Sequence, residues 1–247
     1  MIIYEVVTDS VAGVLAAEDA GADRIEFCSA LEVGGLTPSI GMLQQALQQR
    51  EQIPLMVMIR PRGGDFHYND SEFATMLADL ETIKATGAEG VVFGILHPDG
   101  TVDAARTNQL VLAARPMLVT FHRAFDMTVD PYDALETLID VGIDRVLTSG
   151  QEATAIKGMA CLQKLVKQAD GRITILAGSG IRPANVQKLV VQTGVQEVHG
   201  SAFAKTQSEM TYRNARLSMG EEGSDEYALQ VTDERKVKKM VEVLGRV

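Results

Sequence analysis

GADRIE at residues 21–26, GAEGVV at 87–92, GIDRVL at 142–147 and GVQEVH at 194–199 are four versions of one phrase. In each, a glycine closes a helix and β-branched residues follow almost at once, the order in which a helix C-terminal cap feeds a strand. Between these phrases lie four further apolar runs, Ile2–Val7, Leu55–Ile59, Met117–Phe121 and Ile173–Leu176, and every gap between runs carries a helical pattern. The spacing predicts strands starting near residues 2, 24, 55, 90, 117, 145, 173 and 197, or roughly 28 residues per β/α unit. Helix starts agree: Ser10 precedes VAGVLAAEDAG, Asp103 follows the turn His97-Pro98-Asp99-Gly100, and Asp130-Pro131 is an N-cap with proline at the first helical position.

Eight such units over residues 1–247 predict one α/β domain, a (β/α)8 TIM barrel, whose usual size is about 250 residues. An open doubly wound sheet is the alternative, and regular spacing from end to end favours closure. One stretch breaks the rhythm. Residues 204–232 are polar, include Glu221, Glu222, Asp225 and Glu226, and precede a helix near 233–245. They read as a long loop after strand eight, either covering a site, making an oligomer contact, or serving as an acidic insertion without function.

Composition narrows the function. A hydrophobic content of 46% with 5% aromatics and no Trp describes a core of branched aliphatics, as a barrel interior needs. The formal charge of −10 repels phosphodiester backbones and anionic lipid, so neither nucleic acid nor membrane is an expected partner. Two cysteines, Cys28 and Cys161, are too few for a disulfide framework and suit a reducing cytoplasm. No run of about 18 apolar residues occurs, and MIIYEVVTDS lacks the features of a signal peptide.

Working residues of a β/α barrel lie at the carboxyl ends of its strands. Those positions hold Glu5; Glu26 and Cys28; Arg60, Arg62, Asp65 and His67; His122, Arg123 and Asp126; Thr148 and Ser149; Gly178, Ser179 and Gly180; and His199, Gly200 and Ser201. Charges within strands need partners, so Glu5, Glu26, Arg60, His122 and Arg123 are expected to form one network. It serves either as proton-transfer machinery, with Asp126 among its members, or as filling for the barrel's polar end. The glycine turns AGSGI and HGSA follow strands seven and eight, where backbone N–H groups at the start of a short helix commonly hold an anion; simple tight turns are the plainer reading. Arg62, Gly178, Ser179, Gly180, His199, Gly200 and Ser201 are therefore the candidate anion holders. No lysine sits at a strand end for Schiff-base chemistry, no His-x-His follows strand one, and no Gly-x-Gly-x-x-Gly opens a helix. What remains is metal-independent acid/base work on a small anion.

At these residues the chain resembles the CutC proteins, called copper homeostasis proteins. The resemblance rests on GADRIEFCSALEVGGLTPS (21–39), IRPRGGDFHY (59–68), VTFHRAFD (119–126), RVLTSGQ (145–151), LAGSGIR (176–182), EVHGSA (197–202) and YRN (212–214). It implies a β/α barrel, cytoplasmic residence, assembly into a homodimer or higher homo-oligomer, and copper handling, without implying a reaction. Family members often carry a strand-one cysteine beside that of strand two; here Glu5-Val6-Val7 leaves Cys28 as the one candidate ligand for Cu(I), which prefers thiolates and thioethers. Met56 and Met58 read as adaptable packing rather than a copper relay. Two functions stay open, a copper-binding protein and a lyase- or isomerase-type enzyme for a phosphorylated or carboxylated metabolite, with an inactive regulatory scaffold as a third.

Overall fold

The computed structural model describes residues 2–214, 216–217 and 225–245. Eight parallel strands close into a barrel: β1 (Ile3–Thr8), β2 (Arg24–Phe27), β3 (Leu55–Met58), β4 (Gly90–Phe93), β5 (Leu118–Phe121), β6 (Arg145–Thr148), β7 (Thr174–Ala177) and β8 (Glu197–Gly200), which pairs back onto β1. Each begins within one residue of its predicted start. The helices α1 (Val11–Asp19), α2 (Ile40–Gln49), α3 (Asp70–Lys84), α4 (Ala104–Ala114), α5 (Pro131–Asp140), α6 (Met159–Ala169), α7 (Val186–Thr193) and α8 (Glu234–Leu244) follow in turn. The predicted caps hold: Ser10 accepts from the Gly13 N–H, Asp103 from that of Arg106, and Asp130 from those of Tyr132 and Asp133. No helix among the described residues is long and apolar enough to cross a membrane.

The segment after β8 differs from its reading as a loop. Phe203–Gln207 (β9) and Ala228–Thr232 (β10) pair as an antiparallel hairpin, to which Phe203, Thr206, Val231 and Thr232 bring the aromatic and β-branched side chains that favour strands. The hairpin also replaces the short helix expected after the HGSA turn. Its base is fixed to the barrel by the Thr8 and Thr232 hydroxyls, 3.0 Å apart, and by Lys236 donating to the Phe203 carbonyl. Of the acidic patch, Asp225 caps the turn into β10 by accepting the Tyr227 N–H; Glu221 and Glu222 lie outside the described residues.

Alternation along the strands separates two interiors. Outward side chains such as Val6, Ile25, Leu55, Val57, Val91, Val119, Val146, Ile175 and Val198 form the main core under the helices. Inside the barrel, Val7, Cys28, Met56, Met58 and Val92 make a small apolar wall. The opposite side of the lumen is ionic. Arg24 Nε donates to Glu5 Oε2 at 2.5 Å and its Nη2 to Glu197 Oε2 at 2.5 Å, while Arg145 Nε reaches the same Glu197 oxygen at 2.6 Å. Arg145 also donates to Thr120 Oγ1 at 3.2 Å.

Arg24, Arg145 and Glu197 are the first residues of their strands, so this cluster plugs the amino end of the barrel. Removing one member leaves buried charge uncompensated. Arg24 serves two carboxylates, so Arg24→Met should lower unfolding free energy in denaturant melts by about 3–5 kcal/mol. A loss below about 1 kcal/mol, the worth of a solvated surface pair, would contradict a dry cluster.

Candidate functional site

The ionic plug continues upward into a group with different chemistry. Glu5 stands in register with Arg24 on one side and His199 on the other, so all three side chains enter the lumen at one level. His199 Nδ1 lies 2.8 Å from Glu5 Oε1, and its Nε2 lies 3.6 Å from Glu26 Oε2. Burial pushes the Glu5 carboxyl upward, but the charge of Arg24 and the His199 contact outweigh it and hold the group at about 2. Burial dominates at Glu26, with the neighbouring Glu5 charge adding to it, and raises this carboxyl to about 7. Burial opposes the charged form of His199, yet the charges of Glu26 and Glu5 raise its affinity for a proton. Two carboxyls driven apart across one imidazole form a unit that stores or releases a proton near neutral pH. Glu26 Oε1 is buried and has no hydrogen-bond partner among the described residues.

His199 also floors a cleft of about 820 Å³, which opens beside the β7 and β8 ends and runs under α8. Its polar rim comes from Ser179, Gly180, Arg182 and Ser201, and Arg123, Lys236 and Lys239 add charge. Of the described residues lining it, four are cationic and none carries a carboxylate. In a chain of net charge −10 this is a local reversal of field. The turn is held in an unusual shape: Ser179 has φ +78° and Gly180 φ +68°. A serine in the left-handed region costs about 1 kcal/mol or more and persists only when its surroundings impose it. Here Ser179 Oγ donates to the Ala153 carbonyl and the Ser179 carbonyl accepts from the Ala155 N–H, so the β6–α6 loop supplies the restraint. Gly178 sits against Leu147 and His199, and Gly200 against the Tyr4 ring.

The expected single network is instead three separate groups. Glu5, Glu26 and His199 form the first. In the second, Arg60 donates through Nη1 to the Val33 and Gly35 carbonyls and through Nη2 to that of Gly64, tying together the loops after β2 and β3. The His122 ring stands 4.9 Å from that of Phe66, which also lies 5.0 Å from the Arg60 guanidinium. His122 Nδ1 accepts from the Ala124 N–H. Burial and then the Arg60 charge lower its pKa to about 3, so the ring is neutral and suited to donating from Nε2 rather than removing a proton. Its position needs Gly94, since a Cβ there would come within 2.6 Å of the imidazole.

The third group centres on Asp126, which accepts from Arg123 Nε at 2.7 Å, from Thr148 Oγ1 at 2.5 Å, from Ser149 N–H and Oγ, and from Gln151 N–H. Its oxygens are committed to shaping the β6 turn, and Arg123 is left at the cleft edge. Arg62 is likewise engaged away from the cleft, with Glu72 at 2.6 Å and Asp65 at 3.0 Å. Sequence reasoning missed Arg24, Arg145 and Glu197, which begin strands rather than end them. It also missed Lys236 and Lys239, whose one available signal was the helical face they share three residues apart.

The donors for copper do not assemble. Cys28 is fully buried, and its Sγ lies 3.8 Å from the Thr8 carbonyl. Burial, then the charges of Glu26, Asp9 and Glu32, push the thiol well above its ordinary range, away from the thiolate a metal needs. Cys161 stands apart on α6, outside the lumen. Among the described residues no three His, Cys, Asp or Glu side chains are grouped to hold an ion.

Fold and site together define a β/α-barrel protein with a buried carboxyl–imidazole unit and a cation-lined cleft at its strand ends. The chain belongs to the CutC family, whose description it matches over residues 2–204. It is 48% identical over 237 residues to the human copper homeostasis protein cutC homolog, covering 96% of this chain and 86% of that protein. It is also 48% identical to family protein CutC of Glaesserella parasuis, covering 98% of each. The crystal structure of a CutC protein from Streptococcus agalactiae superposes with a TM-score of 0.77 at 33% identity, covering 81% of this chain and 98% of that one.

The raised carboxyl has a measurable sign. Folded Glu26 keeps its proton up to about pH 7, whereas the unfolded chain loses it near 4.5, so folding becomes less favourable as pH rises through that window. Glu26→Gln should therefore raise Tm by several degrees at pH 8, with the gain fading as pH falls toward 4.5. Glu5, held at about 2, behaves oppositely: its contribution is present above 4.5 and lost as pH falls toward 2. Thermal melts of Glu26→Gln and wild type across pH 4–8 check this, and a gain that does not vary with pH would count against it.

Proposed function

We propose that this chain binds a small phosphorylated or carboxylated metabolite in the cleft under α8 and performs acid/base chemistry there without a resident metal. The observation that carries the reading is the cleft's lining, four cations and no carboxylate among its described residues, with His199 at its floor. The side chains of Arg182 and Lys239 have no hydrogen-bond or ion-pair partner among the described residues and are free to meet an anion. The Ser179–Gly180 turn and the Ser201 hydroxyl supply directional donors beside them. His199, backed by Glu5 and Glu26, supplies the proton acceptor or donor, and a carboxyl near 7 is matched to work at neutral pH. Lyase and isomerase reactions that proceed by proton transfer on a bound anion run on parts of this kind.

Residence in the cytoplasm, suggested by two free cysteines, and assembly with a second copy belong to this reading as proposals. The copper homeostasis in the relatives' names is accommodated as an indirect role. Cys28 offers one protonated, enclosed thiol, which does not fit a Cu(I) site.

Differential scanning fluorimetry with inorganic phosphate and methyl phosphate tests the cleft. At 100 times Kd a ligand stabilises by about 2.7 kcal/mol. The paired change Arg182→Ala and Lys239→Ala, both on exposed side chains, should weaken phosphate at least tenfold. Stabilisation equal to that from sodium chloride at matched ionic strength would sink the assignment. In anaerobic Cu(I) titration against a competing chelator, wild type and Cys28→Ser should be indistinguishable; competition that Cys28→Ser abolishes would restore direct copper binding.

A further inference from the structure

Arg60 Nε and His122 Nε2 are both buried and both lack a hydrogen-bond partner among the described residues. The two side chains are 4% exposed, and both meet the ring of Phe66, at 5.0 and 4.9 Å. The other polar side-chain atoms of these residues each have a partner. Arg60 spends its two terminal nitrogens on three loop carbonyls, and His122 spends Nδ1 on the Ala124 N–H, which fixes the tautomer with hydrogen on Nε2. Two N–H donors are thus left over, one of them cationic, and the buried Tyr68 hydroxyl near Arg60 likewise has no hydrogen-bond partner among the described residues. A buried donor without a partner is costly, and a fold tolerates that cost where a ligand later meets it.

We infer that Arg60 and His122 form a second binding site, separate from the cleft, for the carboxylate of a small organic acid, with Phe66 as its cover. One positive charge matches a monoanion, and two single N–H donors beside one ring match the two oxygens of a carboxylate better than the several oxygens of a phosphate. Phe66 is only partly buried and is carried by the segment Arg62–His67, whose Gly63 and Gly64 precede it. Gly64 has φ +86° and its carbonyl is held by Arg60 Nη2, so the covering segment is tied to the guanidinium it shields. Closing an aromatic ring over the ion pair excludes water and strengthens the pairing. None of these residues lines the cleft, so the site stands whether or not the cleft takes phosphate.

The protein has four histidines, which makes 15N-histidine labelling a clean reporter. Titration of the wild-type chain with sodium formate should move the His122 Nε2 resonance saturably and leave His199 unmoved. Inorganic phosphate read at His199 reports on the cleft in the same spectrum, so the two assignments fail independently. Phe66→Ala should keep the His122 response but weaken formate by about tenfold through loss of the water-excluding cover. A His122 signal unaffected by formate, or one that sodium chloride moves equally, overturns the site. Unchanged affinity in Phe66→Ala overturns the covering role.

Discussion

The structure depends on the sharing of Arg24 between Glu5 and Glu197 inside the lumen. Ions withdrawn from water are costly, and their mutual attraction repays the cost only when geometry is good and the remaining hydrogen-bonding capacity is used. Parallel register meets that condition, because Glu5 stands level with Arg24 and His199 on its two neighbouring strands. Once Arg24 holds Glu5 ionised, Glu5 can hold His199, and His199 faces Glu26. The protonation of the upper lumen is thus set from its floor.

This division of labour separates stability from chemistry along the barrel axis. At the amino end every described charge is matched: Arg24 and Arg145 against Glu5 and Glu197. At the carboxyl end matching is incomplete, with Glu26 Oε1, Arg60 Nε and His122 Nε2 lacking partners among the described residues. Groups of this kind are expensive to keep unless something from outside completes them, and they concentrate where the fold places its working residues.

The fold was legible in the sequence because its repeat has two independent signals, helix-closing glycines such as Gly21 and Gly142 and the β-branched runs that follow them. The eighth loop was not, because FAKTQ and ALQVT are short, lack a clear alternation and are separated by twenty residues, so that only their pairing identifies them as strands. The site was half legible. Strand-end position gathered Glu5, Glu26 and His122 as members of one network, but could not say which neighbour each would choose. His199 took both carboxyls, while Arg60 and Arg62 turned to loop carbonyls and loop acids. Those choices depend on loop paths, which no periodicity encodes. Lys236 and Lys239 reach the cleft only because α8 folds back across β8 and β1.

That return of α8 bears on when the protein becomes competent during its synthesis. All eight staves of the barrel leave the ribosome before α8 does, so a nascent chain can close its sheet and bury its ionic floor while the lysine side of the cleft is still being translated. The cleft is assembled last, and a partly made chain would carry the carboxyl–imidazole unit, Arg123 and Arg182 without the two lysines of α8. The cationic lining is thereby completed only once that last wall is in place.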